Sequence, residues 1–241
     1  MTAVAAEAAV AGALRRAALH GLLAAAFAYP MGERVRDLAR RARAVPAGPG
    51  AAGLGAALGR LATAAEEADA AALAGQYVEL FDRAVRCPPY EGAWGPQQIS
   101  GKAALLADVA GFYTAFGVAP AAQHADIEDH VGAELEFMSV LALKEAHAVA
   151  EGKPDAVAVT REAQATFLAE HLGRWGEAFA ARVQAVAPPG FYPAAAVLLA
   201  GWIEEECAAL AVRPTTVDTV ASADAAPFTC PMAVPEATAA G

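Results

Sequence analysis

The stretch QYVELFDRAVRCPPYEGAW, residues 76–94, decides how the rest of the chain is interpreted. It begins as a helix and breaks at Cys87-Pro88-Pro89, because adjacent prolines fix φ, remove N–H donors and push the preceding residue out of helical space. The loop then places Tyr90, Glu91 and Trp94 close together. Such a loop is typical of a recognition surface, and a structural elbow whose aromatics only fill the core fits the same residues.

The composition indicates an all-α protein. Apolar residues make up 57% of the 241 residues, and many of them are alanine, the best helix former. Strict alternation of β-branched or aromatic residues with polar ones is scarce, so strands are not expected. The length suits one domain with a substantial core, and we predict a single-domain multi-helix bundle.

Charge, cysteine usage and hydropathy narrow the partners and the compartment. The net charge of -10, from 27 acidic and 17 basic side chains, disfavours nucleic acid and is compatible with a basic peptide. Cys87, Cys207 and Cys230 are far apart and predict no disulfide framework, which favours the cytoplasm. No apolar run reaches the roughly 18 to 20 residues that span a bilayer, so stable membrane insertion is not expected.

Arg15-Arg16 and the apolar segment after it look superficially like a twin-arginine export signal. His20 interrupts the apolar run, and Glu7 lies where a signal would be basic. Helical spacing places four apolar side chains on one face, so we predict an amphipathic helix instead. These are Leu14, Ala18, Leu22 and Ala25.

Apolar periodicity and end signals predict eight helices. Their spans are 7–29, 33–43, 54–67, 69–85, 100–116, 126–150, 155–186 and 192–212, with Ser100 as an N-cap. The acidic run Glu204-Glu205-Glu206 is interpreted as a solvated face. Residues 1–212 are predicted to form the helical domain, and residues 213–241, rich in small residues and prolines, a flexible tail.

The helix predicted over 126–150 carries the second informative group of residues. Asp126 can cap it, and Asp129 at the third helical position has a structural explanation beside a functional one. His130 and Glu134 lie one turn apart beside an apolar stripe. His124 could join them at a metal, but H-E-x-x-H and a second ligand cluster are absent, so no metal is predicted.

Four motifs together resemble the TorD/DmsD/NarJ family of redox-enzyme maturation chaperones, over about residues 12–212. Gly92-Ala93 departs from the family, where many members have Ser followed by an apolar residue. The motifs are Tyr77-x-x-Leu80-Phe81, Pro88-Pro89-Tyr90-Glu91, Glu128-Asp129-His130 with Glu134-Leu135-Glu136-Phe137-Met138, and Phe167-Leu168-x-x-His171-Leu172-x-x-Trp175.

The resemblance implies an all-α cytoplasmic chaperone without catalytic activity or a resident cofactor. Family members bind the twin-arginine signal peptide of a molybdopterin oxidoreductase catalytic subunit, hold that subunit back from export, and in some cases assist cofactor insertion. The peptide-binding residues that it implies are Tyr77, Leu80, Phe81, Pro89, Tyr90, Trp94, Asp129 and His130.

Elementary chemistry supports part of this assignment. A receptor for an arginine pair followed by an apolar segment needs carboxylates and a hydrophobic groove. Glu91, Asp129 and Glu134 supply the first, and Leu80, Phe81, Tyr90 and Trp94 the second, if they converge in space.

Two alternatives stay open. One is a NarJ-like chaperone of a non-exported, membrane-bound reductase, and the other is a helical metal-binding enzyme. Glycine-rich helix connections also permit exchange of elements between protomers, so a homo-oligomer is compatible with the sequence.

Overall fold

The structure is a computed structural model that describes residues 2–46, 48, 52–82, 86–95, 99–119 and 128–217. Within these residues the chain is all-α, as predicted, and no strand forms. A π-helix covers Val78–Asp82, and a 3-10 turn covers Glu91–Ala93. The nine α-helices of the described part are α1 (Ala3–Ala26), α2 (Gly32–Ala44), α3 (Ala52–Glu67), α4 (Ala70–Tyr77), α5 (Ile99–Ala115), α6 (Val131–Ala150), α7 (Pro154–Glu170), α8 (Leu172–Val186) and α9 (Phe191–Leu210).

Helices α1 and α6 form the most extensive contact of a single bundle. They run antiparallel, since the Ser139 hydroxyl donates to the Ala17 carbonyl at 2.9 Å while Gly132 lies near the Ala24 carbonyl. A Cβ on Gly21 would lie 3.3 Å from Ser139 Oγ, so a glycine there lets the helices approach closely. One continuous core results, in which α8, α9 and α3 also pack together. None of the described helices is long and apolar enough to cross a membrane.

A buried charge network joins α1 to α6 and α9. The Arg16 guanidinium donates to both carboxylate oxygens of Glu206, at 2.8 and 3.0 Å, and to Glu145 at 2.8 Å. His20 Nε2 lies 3.1 Å from Glu206, while the Trp202 indole N–H donates to His20 Nδ1 at 3.2 Å. Burial alone would raise the pKa of Glu206, but the hydrogen bonds from His20 and Arg16 and the positive charge of Arg16 outweigh it and lower that pKa to about 2.

This network bears on two predictions. The helix predicted over Arg15-Arg16 is confirmed, and Arg15 pairs with Glu205 at 2.7 Å. The apolar face predicted for this helix is wrong at Leu14, which is 47% exposed. The solvated face predicted for 204–206 is wrong for Glu206, which is 1% exposed. Its cationic partner Arg16 lies 190 positions away in the chain, so the local acidic run did not reveal the pairing.

The single helix predicted over 155–186 is wrong, because the chain breaks at His171 between α7 and α8. His171 has φ -124° and ψ -100°. The sharp turn brings the Leu168 carbonyl so close to Gly173 that a Cβ there would collide with it, and Pro214 Cγ would be 2.6 Å from the same Cβ. A residue without a Cβ at this position therefore permits the break.

The start predicted for the sixth helix is also wrong. Glu128 and Asp129 form a turn, His130 is the N-cap, and α6 begins at Val131. The reason is tertiary: the residues before α6 bond to the loop around Pro89, which holds His130 in an extended conformation. Asp126 lies outside the described residues.

Three smaller differences concern helix ends and the tail. The fourth helix passes into the π-helix after Tyr77, and α5 begins at Ile99, so Ser100 lies inside its first turn and not at its N-cap. The first residues of the predicted tail lie against the bundle, where the Val217 N–H donates to the Arg174 carbonyl at 2.8 Å. Residues 218–241, with Cys230, lie outside the described residues.

Candidate functional site

The loop of residues 86–95, here called the Pro loop, is bonded through its backbone to the start of α6. The Glu91 N–H donates to the Asp129 carbonyl at 2.9 Å, and the Val131 N–H donates to the Pro89 carbonyl at 2.8 Å. Tyr90 and His130 form an isolated antiparallel bridge between these bonds. The two motifs that lie 40 residues apart in the sequence are thus joined into one structural unit.

Asp129 is fully buried and fixes the Pro loop rather than capping a helix. Its Oδ2 accepts a hydrogen bond from the Gly92 N–H at 2.9 Å. A Cβ on Gly92 would lie 3.0 Å from the same Oδ2, so Gly92 suits this close approach. The departure from the family pattern at Gly92 therefore falls where the loop is closest to Asp129.

His130 caps α6. Its Nδ1 accepts a hydrogen bond from the Gly132 N–H at 3.0 Å, and its ring packs edge-to-face on Tyr90 with centroids 5.2 Å apart. An N-cap that satisfies an otherwise unpaired helical N–H stabilises the helix start. The side chain is buried and so supports the loop from beneath.

Glu134 is fully buried in the first turn of α6, where its Oε2 accepts from the Trp175 indole N–H at 3.2 Å. Burial raises the pKa of Glu134 well above its ordinary value, and the negative charges of Glu91 and Asp129 raise it further. These effects favour the neutral carboxylic acid. Glu134 is therefore ill suited to supply the negative charge that the sequence suggested.

Glu91 is also buried, at 5% exposure, and has partners from α8 and the α7–α8 break. Its Oε2 lies 3.0 Å from His171 Nδ1, and its Oε1 lies 3.9 Å from Arg174 Nη1. In the sequence, His171 appears only as a member of the fourth motif. Sequence reasoning missed its place at this site because the break that turns its ring toward the Pro loop has no local signal.

The apolar residues of the predicted site lie mostly under the surface. Leu80, Phe81, Pro89 and Trp94 are buried. The Trp94 indole N–H donates to the Pro88 carbonyl at 3.0 Å, and its ring packs near Trp175. The position of Trp94 therefore fits the structural elbow, in which the aromatic side chains of the loop fill the core.

Tyr77 and Tyr90 are the two predicted site residues that are partly exposed. Tyr77 packs edge-to-face on Phe81 and on Tyr29, with ring centroids 5.2 and 5.4 Å apart. Tyr29 is 51% exposed, and Met31 beside it is 58% exposed. These two residues extend the aromatic surface and were missed by sequence reasoning, although Tyr29 stands next to the helix-stopping Pro30.

In the described part of the chain, no three His, Cys, Asp or Glu side chains are placed to hold a metal ion, so these residues offer no ligand cluster for the metal-binding alternative. His124, which this alternative would need, lies outside the described residues. His130 instead uses its Nδ1 at the start of α6.

Residues 48–181 match the nitrate reductase delta subunit family. The chain belongs to this family. The resemblance to the TorD/DmsD/NarJ chaperones is thereby confirmed. A "Perchlorate reductase assembly chaperone protein" of Dechloromonas aromatica (strain RCB) is 38% identical over 106 residues. That match spans 44% of this chain and 45% of the relative, less than half of each.

In this member of the nitrate reductase delta subunit family, all four motifs meet around the Pro loop. Phe81 and Trp94 both pack on Phe179 in the core, with ring centroids 6.0 and 6.4 Å apart. Glu91 binds the α7–α8 break, and Asp129 binds the loop backbone. The ten predicted site residues therefore divide into two partly exposed tyrosines and eight buried residues.

Proposed function

We propose that this protein is a non-catalytic cytoplasmic chaperone that binds the twin-arginine signal peptide of a molybdopterin oxidoreductase catalytic subunit. It holds the subunit without its cofactor until assembly is complete. The match of residues 48–181 to the nitrate reductase delta subunit family carries the proposal, and the relative named as an assembly chaperone supports it.

The partly exposed aromatic side chains are the proposed contacts for the apolar segment of the peptide. Tyr77 and Tyr90 belong to the motifs, and Tyr29 and Met31 add half-exposed apolar area beside Tyr77. Aromatic side chains bury large areas at peptide interfaces with little loss of rotamer freedom, which makes them suitable anchors. The π-helix at Val78–Asp82 directly follows Tyr77, and such irregular turns are frequent at functional sites.

The buried members of the predicted site have a positioning role in this proposal. Leu80, Phe81, Pro89 and Trp94 support the aromatic surface from beneath. Glu91 and Asp129 fasten the Pro loop to the α7–α8 break and to the residues before α6, His130 caps α6, and Glu134 joins α6 to α8.

A second client type uses the same surface. The matched family is named after the delta subunit of nitrate reductase. We therefore retain the alternative client, a non-exported reductase with a signal-like N-terminus. The chemistry of recognition is shared, because both clients would present an extended or helical apolar segment next to basic residues.

Co-purification tests the proposal. The chain is co-expressed with the reductase catalytic subunit encoded nearest to it, either whole or without its N-terminal segment. We expect the whole subunit to co-purify and the truncated one to be lost. Equal recovery of both would contradict peptide recognition, and recovery of neither would contradict the chaperone role for that client. A leader with two adjacent arginines would identify the exported type.

A further inference from the structure

A cleft of about 450 Å³ opens beside the Pro loop at the break between α7 and α8. Asp108 and Leu105 of α5, Glu170, His171 and Arg174 at the break, and Thr215 of the C-terminal segment contribute to its lining. It is separate from the aromatic surface formed by Tyr29 and Tyr77.

His171 presents a buried acceptor in this cleft. The side chain is 2% exposed, and its Nδ1 lies 3.0 Å from the Glu91 carboxylate. Because a carboxylate only accepts hydrogen bonds, Nδ1 carries the proton, so Nε2 is an acceptor in the neutral form of the ring. That Nε2 atom has no hydrogen-bond partner among the described residues. A buried polar atom without a partner is costly, and a bound ligand or water would relieve the cost.

The surroundings of Nε2 favour a cation that donates hydrogen bonds. Asp108 Oδ2 lies 3.6 Å from Nε2, too far for a direct bond but close enough for one donor group to reach both atoms. Glu170 also contributes to the lining. Arg174 also lines the cleft, and its Nη1 donates to the Glu170 carbonyl at 3.4 Å and lies 3.9 Å from the Glu91 carboxylate.

We propose that His171 Nε2 and Asp108 together bind the guanidinium group of a client arginine in this cleft. The inference rests on the proposed function and deepens it, since it assigns the arginine of the signal peptide to residues other than Glu91, Asp129 and Glu134. Those three do not contribute to the lining of the cleft, whereas His171 and Asp108 both do, and the Asp108 side chain is 62% exposed. Guanidinium fits better than ammonium, because its planar array of five N–H donors can reach two acceptors set side by side.

Paired substitutions separate the two ring nitrogens of His171. His171→Asn keeps a donor for Glu91 and removes Nε2, while His171→Gln places an amide oxygen near the Nε2 position. Asp108→Asn removes the exposed charge, and Asp155→Asn makes the same change at an exposed site at the start of α7. Circular dichroism and thermal melts establish that each variant is folded.

The measurement is a titration with three synthetic peptides that carry Arg-Arg, Lys-Lys or Gln-Gln ahead of the N-terminal apolar segment of the neighbouring reductase. For each protein we compare the dissociation constant of the Gln-Gln peptide with that of the Arg-Arg peptide. We expect His171→Asn to lower this ratio about tenfold and Asp108→Asn about two- to fivefold. Asp155→Asn should leave it unchanged, His171→Gln should retain part of it, and Lys-Lys should bind more weakly than Arg-Arg.

Two failures are distinguishable. If the Arg-Arg peptide binds but folded His171→Asn and Asp108→Asn proteins keep the ratio of the unmodified chain, this assignment is overturned and the proposed function stands. If no peptide binds any of the proteins, peptide recognition itself is refuted, and the arginine site falls with it.

Discussion

Glu206→Gln should destabilise the fold strongly at neutral pH and much less in acid. Glu206 is 1% exposed and accepts two hydrogen bonds from Arg16. Its pKa is lowered from 4.5 to about 2. At about 1.4 kcal/mol per pKa unit, the ionised form contributes roughly 3 kcal/mol to the free energy of unfolding at pH 7.

The sign follows from linkage. A carboxyl group whose pKa is lower in the folded chain stabilises the fold fully above the unfolded-state pKa, and the contribution disappears as pH falls through the folded-state pKa. With values of 4.5 and about 2, the contribution falls to about 1.4 kcal/mol at pH 3. The difference between the unmodified and Glu206→Gln proteins should shrink accordingly.

Urea unfolding at pH 7 and pH 3 measures both quantities. Glu205→Gln is the matched control, because it makes the same change at the adjacent residue, whose side chain is 34% exposed and pairs with Arg15. Partly exposed pairs contribute about 0 to 1 kcal/mol, so the control should change little. Equal small losses in the two variants, or a Glu206→Gln difference that is the same at pH 3 and pH 7, would refute the reasoning.

Three further predictions follow from single contacts. Gly173→Ala should cost more than about 2 kcal/mol in unfolding free energy, because the new Cβ collides with the Leu168 carbonyl and Pro214. The control Gly59→Ala, with open space around it, should be neutral or stabilising by up to about 1 kcal/mol, and equal effects of the two substitutions would contradict the collision. Glu134→Gln should be neutral or stabilising at pH 7, because the raised folded-state pKa means that ionisation of this carboxyl group disfavours folding as pH rises above 4.5. The gain in unfolding free energy should disappear near pH 4, and a large loss of it at pH 7 in chemical denaturation would show that the group is ionised. Tyr77→Ala should weaken binding of the Arg-Arg and Gln-Gln peptides equally, by on the order of 2 kcal/mol in calorimetry. Leu143→Ala, at a 48% exposed site on α6, should not weaken it, and an effect on the Arg-Arg peptide alone would count against an apolar contact.

Local patterns were sufficient for most of the helices. Alanine-rich segments with apolar side chains at helical spacing predicted an all-α chain, and proline and glycine marked several ends, such as Pro30 and Gly117. Gly117 has φ +67°, the left-handed conformation expected of a glycine that ends a helix.

Features decided by distant residues could not be predicted in this way. The helix break at His171 depends on how close Gly173 comes to the Leu168 carbonyl and to Pro214 of the C-terminal segment. The start of α6 depends on hydrogen bonds to the Pro loop, and the burial of Glu206 depends on Arg16 at the other end of the chain. The contacts of Gly173 with Pro214, of the residues before α6 with the Pro loop, and of Glu206 with Arg16 all join segments that local periodicity treats separately.

The candidate site shows the same division at the level of side chains. The motifs correctly indicated residues that lie together, but residue type alone could not separate those that are partly exposed from those that are buried. Asp129 shows why: a carboxylate at this position suits a guanidinium partner and equally suits the Gly92 N–H, and the structure shows the second bond in a fully buried setting. Because Asp129 and Glu91 are buried, we assign the proposed contact with a client arginine to other residues. Asp108, an exposed carboxylate in a helix that no motif covers, lies beside the buried acceptor of His171, and that juxtaposition is visible only in three dimensions.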